Sequence, residues 1–310
     1  MPQLQPDFSS IIPTGSINLD YALGKGGIPG GSIVEILGHD SSGKTSICLS
    51  IMAEANKLGH MCAFIDADQT LTNIHLKPYR LDPKLVYLAQ TWQAEKALDI
   101  LEHLIRSQAF KILILDSIDT LVPEKDFVLP DYSEQSVGFY QLFSHALNKF
   151  TPLLNKSKTI LIFTQLLAEK PKTIYHNLSQ NTSRLAPKLF TSISIQLETI
   201  NHITEKRIPI GWQVLVTLKK NRFGPCPGRT KLDIMYNDGI IKFGEILILG
   251  LQLQILQETT DSILFQGQVL GANKEESLDY LRSSPQTCQK IEGEIRQILF
   301  SRETNAIKRT

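Results

Sequence analysis

One stretch of eight consecutive residues combines glycines, a lysine and a hydroxyl group in an order that could hold the phosphates of a nucleotide. It runs from Gly38 to Thr45 and reads Gly-His-Asp-Ser-Ser-Gly-Lys-Thr, which matches the phosphate-loop pattern G-x-x-x-x-G-K-[ST]. Its glycines let backbone N–H groups converge on an anion at a helix N-terminus. Lys44 adds a charge for the β- and γ-phosphates, and Thr45 offers a hydroxyl to Mg²⁺. The predicted nucleotide contacts are Gly38, His39, Asp40, Ser41, Ser42, Gly43, Lys44, Thr45 and Ser46.

Two aspartates that follow apolar runs could complete such a site. Asp116 ends the run Ile112–Leu115, and Asp68 comes shortly after the run Cys62–Ile65. A strand-end carboxylate downstream of a phosphate loop holds the hydration shell of Mg²⁺ together with the loop hydroxyl, so we predict Asp116 and Thr45 as the metal-binding residues. Asp68 is predicted to orient or activate an attacking water. The alternatives are a helix-capping Asp116 and a solvated, structurally ordinary Asp68.

The elements that must position these residues are visible as apolar runs separated by helical patterns. The runs are Ile33–Leu37, Cys62–Ile65, Ile112–Leu115 and Thr159–Phe163. The helical patterns between or after them include Thr45–Leu58, Ala94–Ile105 and Val137–Leu154. Continuous apolar strands that alternate with helices are typical of an α/β protein with a mainly parallel sheet covered on both faces. Ligands of such sheets lie beyond the carboxyl ends of the strands, where the phosphate loop and both aspartates fall.

The second half of the chain changes character. Alternating segments predict strands at Ile193–Leu197, Val214–Leu218 and Lys231–Met235. Gly239 and Gly244 then mark a boundary, after which short helices and strands lead to an amphipathic helix with Ile291, Ile295 and Ile298 on one side. We therefore predict a core domain over residues 1–241, with a short N-terminal arm, and a small α+β domain over residues 242–310.

Charge is distributed unevenly along the chain. The formal net charge is only +1, but the segment from Gln165 to Lys231 contains 11 lysines and arginines against 3 acids. The segment Leu166 to Thr182 within it is polar, has no clear period and reads as a long loop, and long loops in compact domains are usually functional or disordered. Such asymmetry favours an anionic partner on one face.

Neither a metal centre of cysteines nor a membrane segment is indicated by the sequence. The four cysteines, Cys48, Cys62, Cys226 and Cys288, lack C-x-x-C spacing, and we interpret them as small apolar residues in a reducing compartment. No apolar run approaches the roughly 18 residues that would span a bilayer, and the first residues lack the features of a secretory signal. The expected location is the cytoplasm.

Several short motifs together resemble the bacterial RecA recombinase family. They are Thr14-Gly15-Ser16, Leu23-Gly24, Gly26-Gly27, the phosphate loop, Phe64-Ile65-Asp66-Ala67, Leu115-Asp116-Ser117 and Leu161-Ile162-Phe163. The similarity runs from about Ile11 to Leu299 with almost no gaps. It implies a RecA-like ATPase core that uses ATP with Mg²⁺, binds single-stranded DNA, assembles head to tail and acts in recombination and repair.

The resemblance also implies roles for basic residues. Lys220 and Arg222 match the pair that reaches the ATP of a neighbouring subunit; taken alone they are a basic strand end. The segment from Leu166 to Arg184 matches the DNA-binding loop, although it could equally be a solvated loop without a ligand. The residues implied to contact DNA are Lys170, Lys172 and Arg184, which would meet phosphates, and Ile174 or Tyr175, which could insert between or stack on bases.

The sequence departs from the family pattern at several of these positions. Asp68 matches a glutamate and retracts the carboxylate by one methylene, which predicts slow hydrolysis because water positioning is sensitive to about 1 Å. Thr72 and His75 match the acid and the stacking tyrosine beside adenine. The glutamine that senses the γ-phosphate falls at Leu166, with Gln165 one residue earlier. The N-terminal arm is shorter than the helix that docks on the next subunit.

Three hypotheses about function remain open at this point. The first is a DNA-dependent ATPase of homologous recombination, with Asp68, Lys44, Lys220 and Arg222 as its catalytic residues. The second is a weakly hydrolysing or non-hydrolysing relative that binds ATP and regulates or caps the filament of a recombinase. The third is an ATPase that acts on protein partners, and a weak dependence of DNA affinity on salt would favour it.

Overall fold

The computed structural model describes residues 7–124, 126, 132–167, 186–224 and 228–306. The first elements are β1 (Asp7–Ile12), α1 (Ile17–Leu23), β2 (Ile28–Gly30), β3 (Ile33–Gly38), α2 (Lys44–Lys57), β4 (Met61–Asp66), α3 (Asn73–Leu76), β5 (Val86–Gln90), α4 (Ala94–Ser107), β6 (Phe110–Asp116), α5 (Tyr132–Ser157) and β7 (Ile160–Leu166). They are followed by β8 (Ile193–Glu205), β9 (Ile208–Asn221), β10 (Arg229–Met235), β11 (Gly239–Ile240), α6 (Phe243–Gln252), β12 (Leu256–Glu258), β13 (Ile263–Phe265), β14 (Gln268–Gly271), α7 (Lys274–Ser283) and α8 (Pro285–Ala306). Short 3₁₀ turns lie at Lys77–Tyr79, Pro83–Leu85, Ile118–Thr120 and Ala186–Leu189.

A central sheet organises the described residues. Nine of the described strands pair in the order β11-β10-β9-β8-β3-β7-β6-β4-β5. The strands from β8 to β5 in this order are parallel to their neighbours, and β8, β9, β10 and β11 pair antiparallel. The predicted α/β fold class with a mainly parallel sheet is confirmed. The carboxyl ends of β3, β4, β6 and β7 meet at one edge, where the phosphate loop and both aspartates were expected.

Helices cover both faces of this sheet because its parallel strands are apolar on both sides. On one face, Ile47, Ile51 and Ala55 of α2 are buried against strand residues that include Val34 and Ile36. On the other face, α4 and α5 bury a second apolar cluster around β6 and β7. The predicted apolar stripe of α2 is therefore confirmed, and α5 begins several residues before the predicted Val137.

The hairpin of β8 and β9 is longer than the sequence indicated. The predicted segments Ile193–Leu197 and Val214–Leu218 are only the sheet-bound parts of strands that extend to Glu205 and back from Ile208. Residues 198–202 are exposed, so the hairpin leaves the core after Leu197. A ribbon that buries neither face has no hydrophobic alternation, and its length is therefore not visible in the sequence.

The last part of the described chain has its own apolar cluster. A three-stranded sheet of β12, β13 and β14 packs with α6, α7 and α8, and Ile291 and Ile295 are buried there as predicted, while Ile298 is partly exposed. Ile17 of α1 joins this cluster. The boundary between residues 241 and 242 remains a prediction about independent domains.

Three of the four cysteines lie in the described part of the chain. Cys48, Cys62 and Cys288 are free and buried, which agrees with their interpretation as small apolar residues; Cys226 lies outside the described residues. Among the described helices, none has the length and apolar character needed to cross a bilayer.

Candidate functional site

The phosphate loop connects β3 directly to α2. Gly43 is the N-cap of α2 and has a φ angle of 92°, and a Cβ atom there would lie 2.6 Å from Cδ1 of Ile234. Glycine is therefore required both by the backbone conformation and by the neighbouring strand β10. The ammonium of Lys44 donates to the carbonyl oxygens of Gly38, at 3.1 Å, and His39, at 2.9 Å. This places a positive charge over a loop at a helix N-terminus, the arrangement that favours bound phosphate.

Thr45 and Asp116 meet across 71 residues of sequence. The hydroxyl of Thr45 donates to Oδ2 of Asp116 at 2.5 Å, and the hydroxyl of Thr164 donates to Oδ1. Asp116 is only 6% exposed; burial raises its pKa, while these two hydroxyl groups act in the opposite direction. Asp116 is the last residue of β6 and Thr45 is the second residue of α2. The two elements therefore bring a carboxylate and a hydroxyl together at the edge of the sheet.

This pair of oxygen ligands fits Mg²⁺ bound with a nucleotide. Mg²⁺ prefers oxygen ligands and is usually held by one or two protein groups together with phosphates and water. Within the described residues, no group of three or more histidines, cysteines or acids could hold a metal by itself. Thr45 and Asp116 are therefore suited to a metal that arrives with its phosphates, as opposed to a metal enclosed by protein.

Asp68 lies beside this pair in a fixed orientation. Its Oδ1 atom accepts from the backbone N–H of Ser117 at 3.1 Å, the Ser117 hydroxyl at 3.0 Å and the Thr120 hydroxyl at 2.6 Å. The side chain is exposed, and its charge acts to raise the pKa of Asp116. Its position just beyond β4, next to β6 in the sheet, brings Asp68, Asp116, Thr45 and the loop to one edge, as the sequence predicted.

An aromatic pair next to the phosphate loop was not identified from the sequence. The rings of Trp212 in β9 and Tyr236 after β10 are 5.3 Å apart, and the Nε1 atom of Trp212 lies 3.5 Å from the position that a Cβ of Gly43 would take. That Nε1 atom is buried without a hydrogen-bond partner among the described residues. Trp212 lies two positions before Val214 in the strand sequence, and this alternation could have predicted that Trp212 faces the core. It could not have predicted which loop Trp212 contacts.

A partly buried tyrosine also supports the loop. Tyr79 hydrogen-bonds Ser46 in the first turn of α2, and burial raises the pKa of Tyr79 to about 12. This contact joins the 3₁₀ turn Lys77–Tyr79 to the predicted nucleotide site. The sequence shows Tyr79 between Pro78 and Arg80 without any periodic pattern, so nothing local indicates its role.

Comparison with known proteins extends over nearly the whole chain. A family model described as the RecA N-terminal domain matches residues 5–241. Protein RecA of Ehrlichia ruminantium (strain Gardel) is 37% identical, over 93% of this chain and 81% of its own length. Protein RecA of Wolbachia pipientis subsp. Culex pipiens (strain wPip) is 36% identical, over 96% of this chain and 83% of its own length. Protein RecA of Anaplasma marginale (strain St. Maries) is 36% identical, over 93% of this chain and 80% of its own length.

The chain belongs to the RecA family. The resemblance that the short motifs indicated is therefore confirmed, together with the RecA-like fold of the core. Family membership brings with it a phosphate loop of the NTPase type, which agrees with the geometry around Lys44 and Thr45.

The two RecA-family positions predicted beside adenine contact each other. The ring Nδ1 atom of His75 accepts from the backbone N–H of Thr72 at 3.2 Å, and the two side chains are also 3.2 Å apart. They form a capping box at the N-terminus of α3, and both are exposed. This contact explains their local role, and base contact by either residue remains a prediction.

Lys220 and Arg222, the predicted RecA-type cross-subunit pair, are held at the end of β9. The Nζ atom of Lys220 donates to the carbonyl of Lys188 at 2.6 Å, and Nη2 of Arg222 donates to the carbonyl of Leu189 at 3.0 Å. Burial and the charge of Arg222 lower the pKa of Lys220, and the buried Glu35 acts in the opposite direction. Neither cation has a hydrogen bond to the phosphate loop among the described residues.

Gln165 cannot replace the sensor glutamine of the RecA pattern in this conformation. It is 3% exposed, and its Nε2 atom donates to the hydroxyl of Tyr140 in α5 at 2.9 Å. Its side chain therefore points to α5, away from Thr164 and Asp116 on the other face. The residues implied to contact DNA, namely Lys170, Lys172, Ile174, Tyr175 and Arg184, lie outside the described residues.

Proposed function

We propose that this chain is an ATP-dependent single-stranded-DNA-binding protein of homologous recombination and DNA repair, and that it hydrolyses ATP in response to DNA in the cytoplasm. The observation that carries the proposal is the 2.5 Å contact between Thr45 and Asp116 at the mouth of the phosphate loop, within a chain of the RecA family. A hydroxyl and a carboxylate in contact there are the two protein ligands that Mg²⁺ and ATP require.

The residues at the sheet edge divide the binding of MgATP between them. The N-terminus of α2 and Lys44 hold the phosphates, and Thr45 and Asp116 hold the metal. Bound Mg²⁺ supplies charge neutralisation of the phosphates during transfer of the γ-phosphoryl group to water. Ser46 and its partner Tyr79 support the first turn of α2.

Asp68 is proposed to position the water that attacks the γ-phosphate. The hydrogen bonds that the described residues make to it all go to Oδ1, so Oδ2 is oriented and can accept from water. A group fixed in this way contributes through positioning, since little covalent chemistry falls to the protein in phosphoryl transfer. The shorter side chain of aspartate predicts slow turnover.

Head-to-tail self-association is proposed to complete the site. Lys220 and Arg222 donate to carbonyl groups of residues 188 and 189, and a phosphate of a neighbouring subunit can replace these carbonyl acceptors. Charge-assisted bonds of guanidinium to phosphate are stronger than those to carbonyl groups. The lysines and arginines predicted at positions 170, 172 and 184 would meet DNA phosphates.

Steady-state ATP hydrolysis with and without single-stranded DNA tests the proposal. The full chain is compared with Lys44→Ala and Asp68→Ala, and ATP binding is measured in parallel by calorimetry. DNA-stimulated turnover that is lost in both variants is the expected result. ATP binding without DNA-stimulated turnover in the natural chain would contradict the proposal and favour the regulatory relative.

The salt dependence of the affinity distinguishes DNA from other acidic partners. If the anionic partner is DNA, its affinity should fall steeply with salt because each phosphate contact releases counterions. A nearly salt-independent affinity would contradict DNA binding through the basic segment and would favour a protein partner.

A further inference from the structure

Three consecutive residues at the carboxyl end of β7 make hydrogen bonds to the predicted metal ligand, to α5 and to the turn after β6. Thr164 donates its hydroxyl to Asp116, Gln165 donates its amide to Tyr140, and the backbone N–H of Leu166 donates to Oδ2 of Asp119 at 2.6 Å. The next N–H group, that of Leu167, donates to the carbonyl of Gly38 at 3.1 Å. Residues 164–167 therefore contact the first residue of the phosphate loop and the segment that contains the metal ligand.

Two of these bonds, those of Gln165 and Leu166, lead to Asp119. Its Oδ2 atom accepts from Leu166, and its Oδ1 atom accepts from the Tyr140 hydroxyl at 3.3 Å. Tyr140 in turn accepts from Gln165 at 2.9 Å, and both of these residues are 3% exposed. A carboxylate with a short bond to a backbone N–H is a charge-assisted contact, which is stronger than the neutral bonds around it.

The turn that carries Asp119 also carries the residues that fix Asp68. The 3₁₀ turn Ile118–Thr120 directly follows Asp116 and Ser117. Ser117 and Thr120 both donate to Asp68. The turn therefore joins the contacts of Asp68 and Asp116 to Asp119 and, through Asp119, to the backbone at Leu166. Contacts of this kind join two sites through a packed turn, not through a long flexible side chain.

We propose that Asp119 is a positioning residue that transmits the state of the nucleotide site to the end of β7. This inference rests on the proposed function, because the basic segment implied to bind DNA begins at Leu166. The amide of Gln165 is bonded to Tyr140, so this side chain does not extend to the phosphate loop. Asp119 makes it through the backbone of Leu166 and through Tyr140.

The test measures coupling between nucleotide and DNA, which a purely structural role would leave unchanged. Binding of a fluorescently labelled oligothymidine to the full chain is followed by anisotropy with Mg²⁺, either without nucleotide or with a non-hydrolysable ATP analogue. The coupling ratio is the DNA dissociation constant without nucleotide divided by that with the analogue. Since coupling is reciprocal, DNA should tighten binding of the analogue by the same factor.

Asp119→Asn and Tyr140→Phe are the informative variants, and Asp261→Asn is the matched control on an exposed turn between β12 and β13. The expected result is a coupling ratio reduced by about fivefold or more in both variants, within the usual range of allosteric coupling. DNA affinity without nucleotide and analogue affinity without DNA should each change by less than about twofold, which is a free-energy change well below such coupling. The control should retain the natural ratio. Thermal unfolding of each variant shows whether it is folded.

The outcomes separate this inference from the proposed function. If the natural chain binds DNA more tightly with the analogue and both variants do so equally, Asp119 has no coupling role while the proposed function stands. If the DNA affinity of the natural chain does not respond to nucleotide, both are wrong. If Asp119→Asn does not fold, Tyr140→Phe decides, since it keeps the ring that packs on Phe139 and loses only the bridging hydroxyl.

Discussion

Arg296→Met should destabilise the protein in a pH-dependent manner, because Arg296 neutralises a buried carboxylate. Asp20 in α1 is 0% exposed, and its Oδ2 atom accepts from Nη2 of Arg296 in α8 at 2.7 Å. The N–H and the hydroxyl of Thr14 donate to its Oδ1 atom, each at 2.8 Å. Methionine keeps the apolar length of arginine and removes its charge. The substitution also removes the 3.0 Å bond of Arg296 to Glu292, so only the pH-dependent part of the loss reports on Asp20.

The magnitude follows from the burial of Asp20. Even with Arg296 present, burial raises the pKa of Asp20 to about 6 from 3.8. The charge of Arg296 is the largest influence that lowers this pKa, so it rises further in the variant. Removing one partner of a buried ion pair costs about 3–5 kcal/mol, and we expect a loss of about 3 kcal/mol at pH 8, where Asp20 is charged in the natural chain and must either stay charged without its partner or bind a proton in the variant.

The sign of the pH dependence is fixed by the raised pKa. A carboxyl group with a raised pKa in the folded state binds protons more tightly when folded, so its contribution to stability falls as pH rises through that pKa. In the variant this fall continues to higher pH than in the natural chain. The difference in unfolding free energy should therefore be small at pH 5, where Asp20 is protonated in both proteins, and should grow towards pH 8.

Urea unfolding of the natural chain and the variant at pH 5, 6, 7 and 8 measures this difference. Arg282→Met is the matched control, because Arg282 pairs with Asp279 where the two side chains are 52% and 71% exposed. Such a surface pair contributes about 0–1 kcal/mol, and its loss should not depend on pH in this range. An equal loss at pH 5 and pH 8 for Arg296→Met would show that the charge of Asp20 does not cause the destabilisation.

Three further substitutions test other parts of the structure. Gly43→Ala should abolish nucleotide binding in calorimetry and lower the free energy of unfolding in urea by about 1–2 kcal/mol, because a left-handed φ angle is unfavourable for alanine. The added Cβ would also collide with Ile234. Nucleotide binding of natural affinity would contradict this prediction. Lys220→Ala and Arg222→Ala should leave ATP binding to the subunit unchanged and lower turnover of the assembled protein by about a hundredfold or more, with equal turnover arguing against a cross-subunit role. Burial raises the pKa of Glu245 to about 7 from 4.5, so the contribution of this residue to stability falls as pH rises through this range. Glu245→Gln should therefore be about 1–2 kcal/mol more stable than the natural chain at pH 8 and equally stable at pH 5. A gain of the same size at both pH values would exclude titration of Glu245 as its cause.

Much of the nucleotide site could be predicted because its chemistry is contiguous in sequence. Gly38 to Thr45 occupies a single loop, and its glycines and lysine have to follow one another for the backbone N–H groups to surround an anion. Asp116 and Asp68 could be placed near this loop because each follows an apolar run, and parallel strands align their carboxyl ends. The buried stripe of α2 was equally visible as a helical period.

The contacts that support the site were not predictable in the same way. Tyr79, Trp212 and Asp119 reach the loop, its glycine or the backbone of Leu166 from segments that carry no motif. Nothing in the sequence around Asp119 indicates that its carboxylate lies 2.6 Å from a backbone N–H 47 residues away. The pKa of Asp20 also depends on another element, because α8 packs against α1 and supplies Arg296. The neighbours of Asp20 in the sequence do not indicate this contact.

The class of fold, the family and the phosphate loop could all be inferred without a structure. Each of these depends on residues that are adjacent or recur at the period of one helix or strand, so local order is enough to reveal them. The tertiary structure alone decided that Gln165 faces Tyr140, that Thr72 and His75 cap a helix, and that Lys220 and Arg222 are held by residues 188 and 189. Hydrogen bonds between elements depend on how strands order and pack in space, and that order is a property of the whole chain.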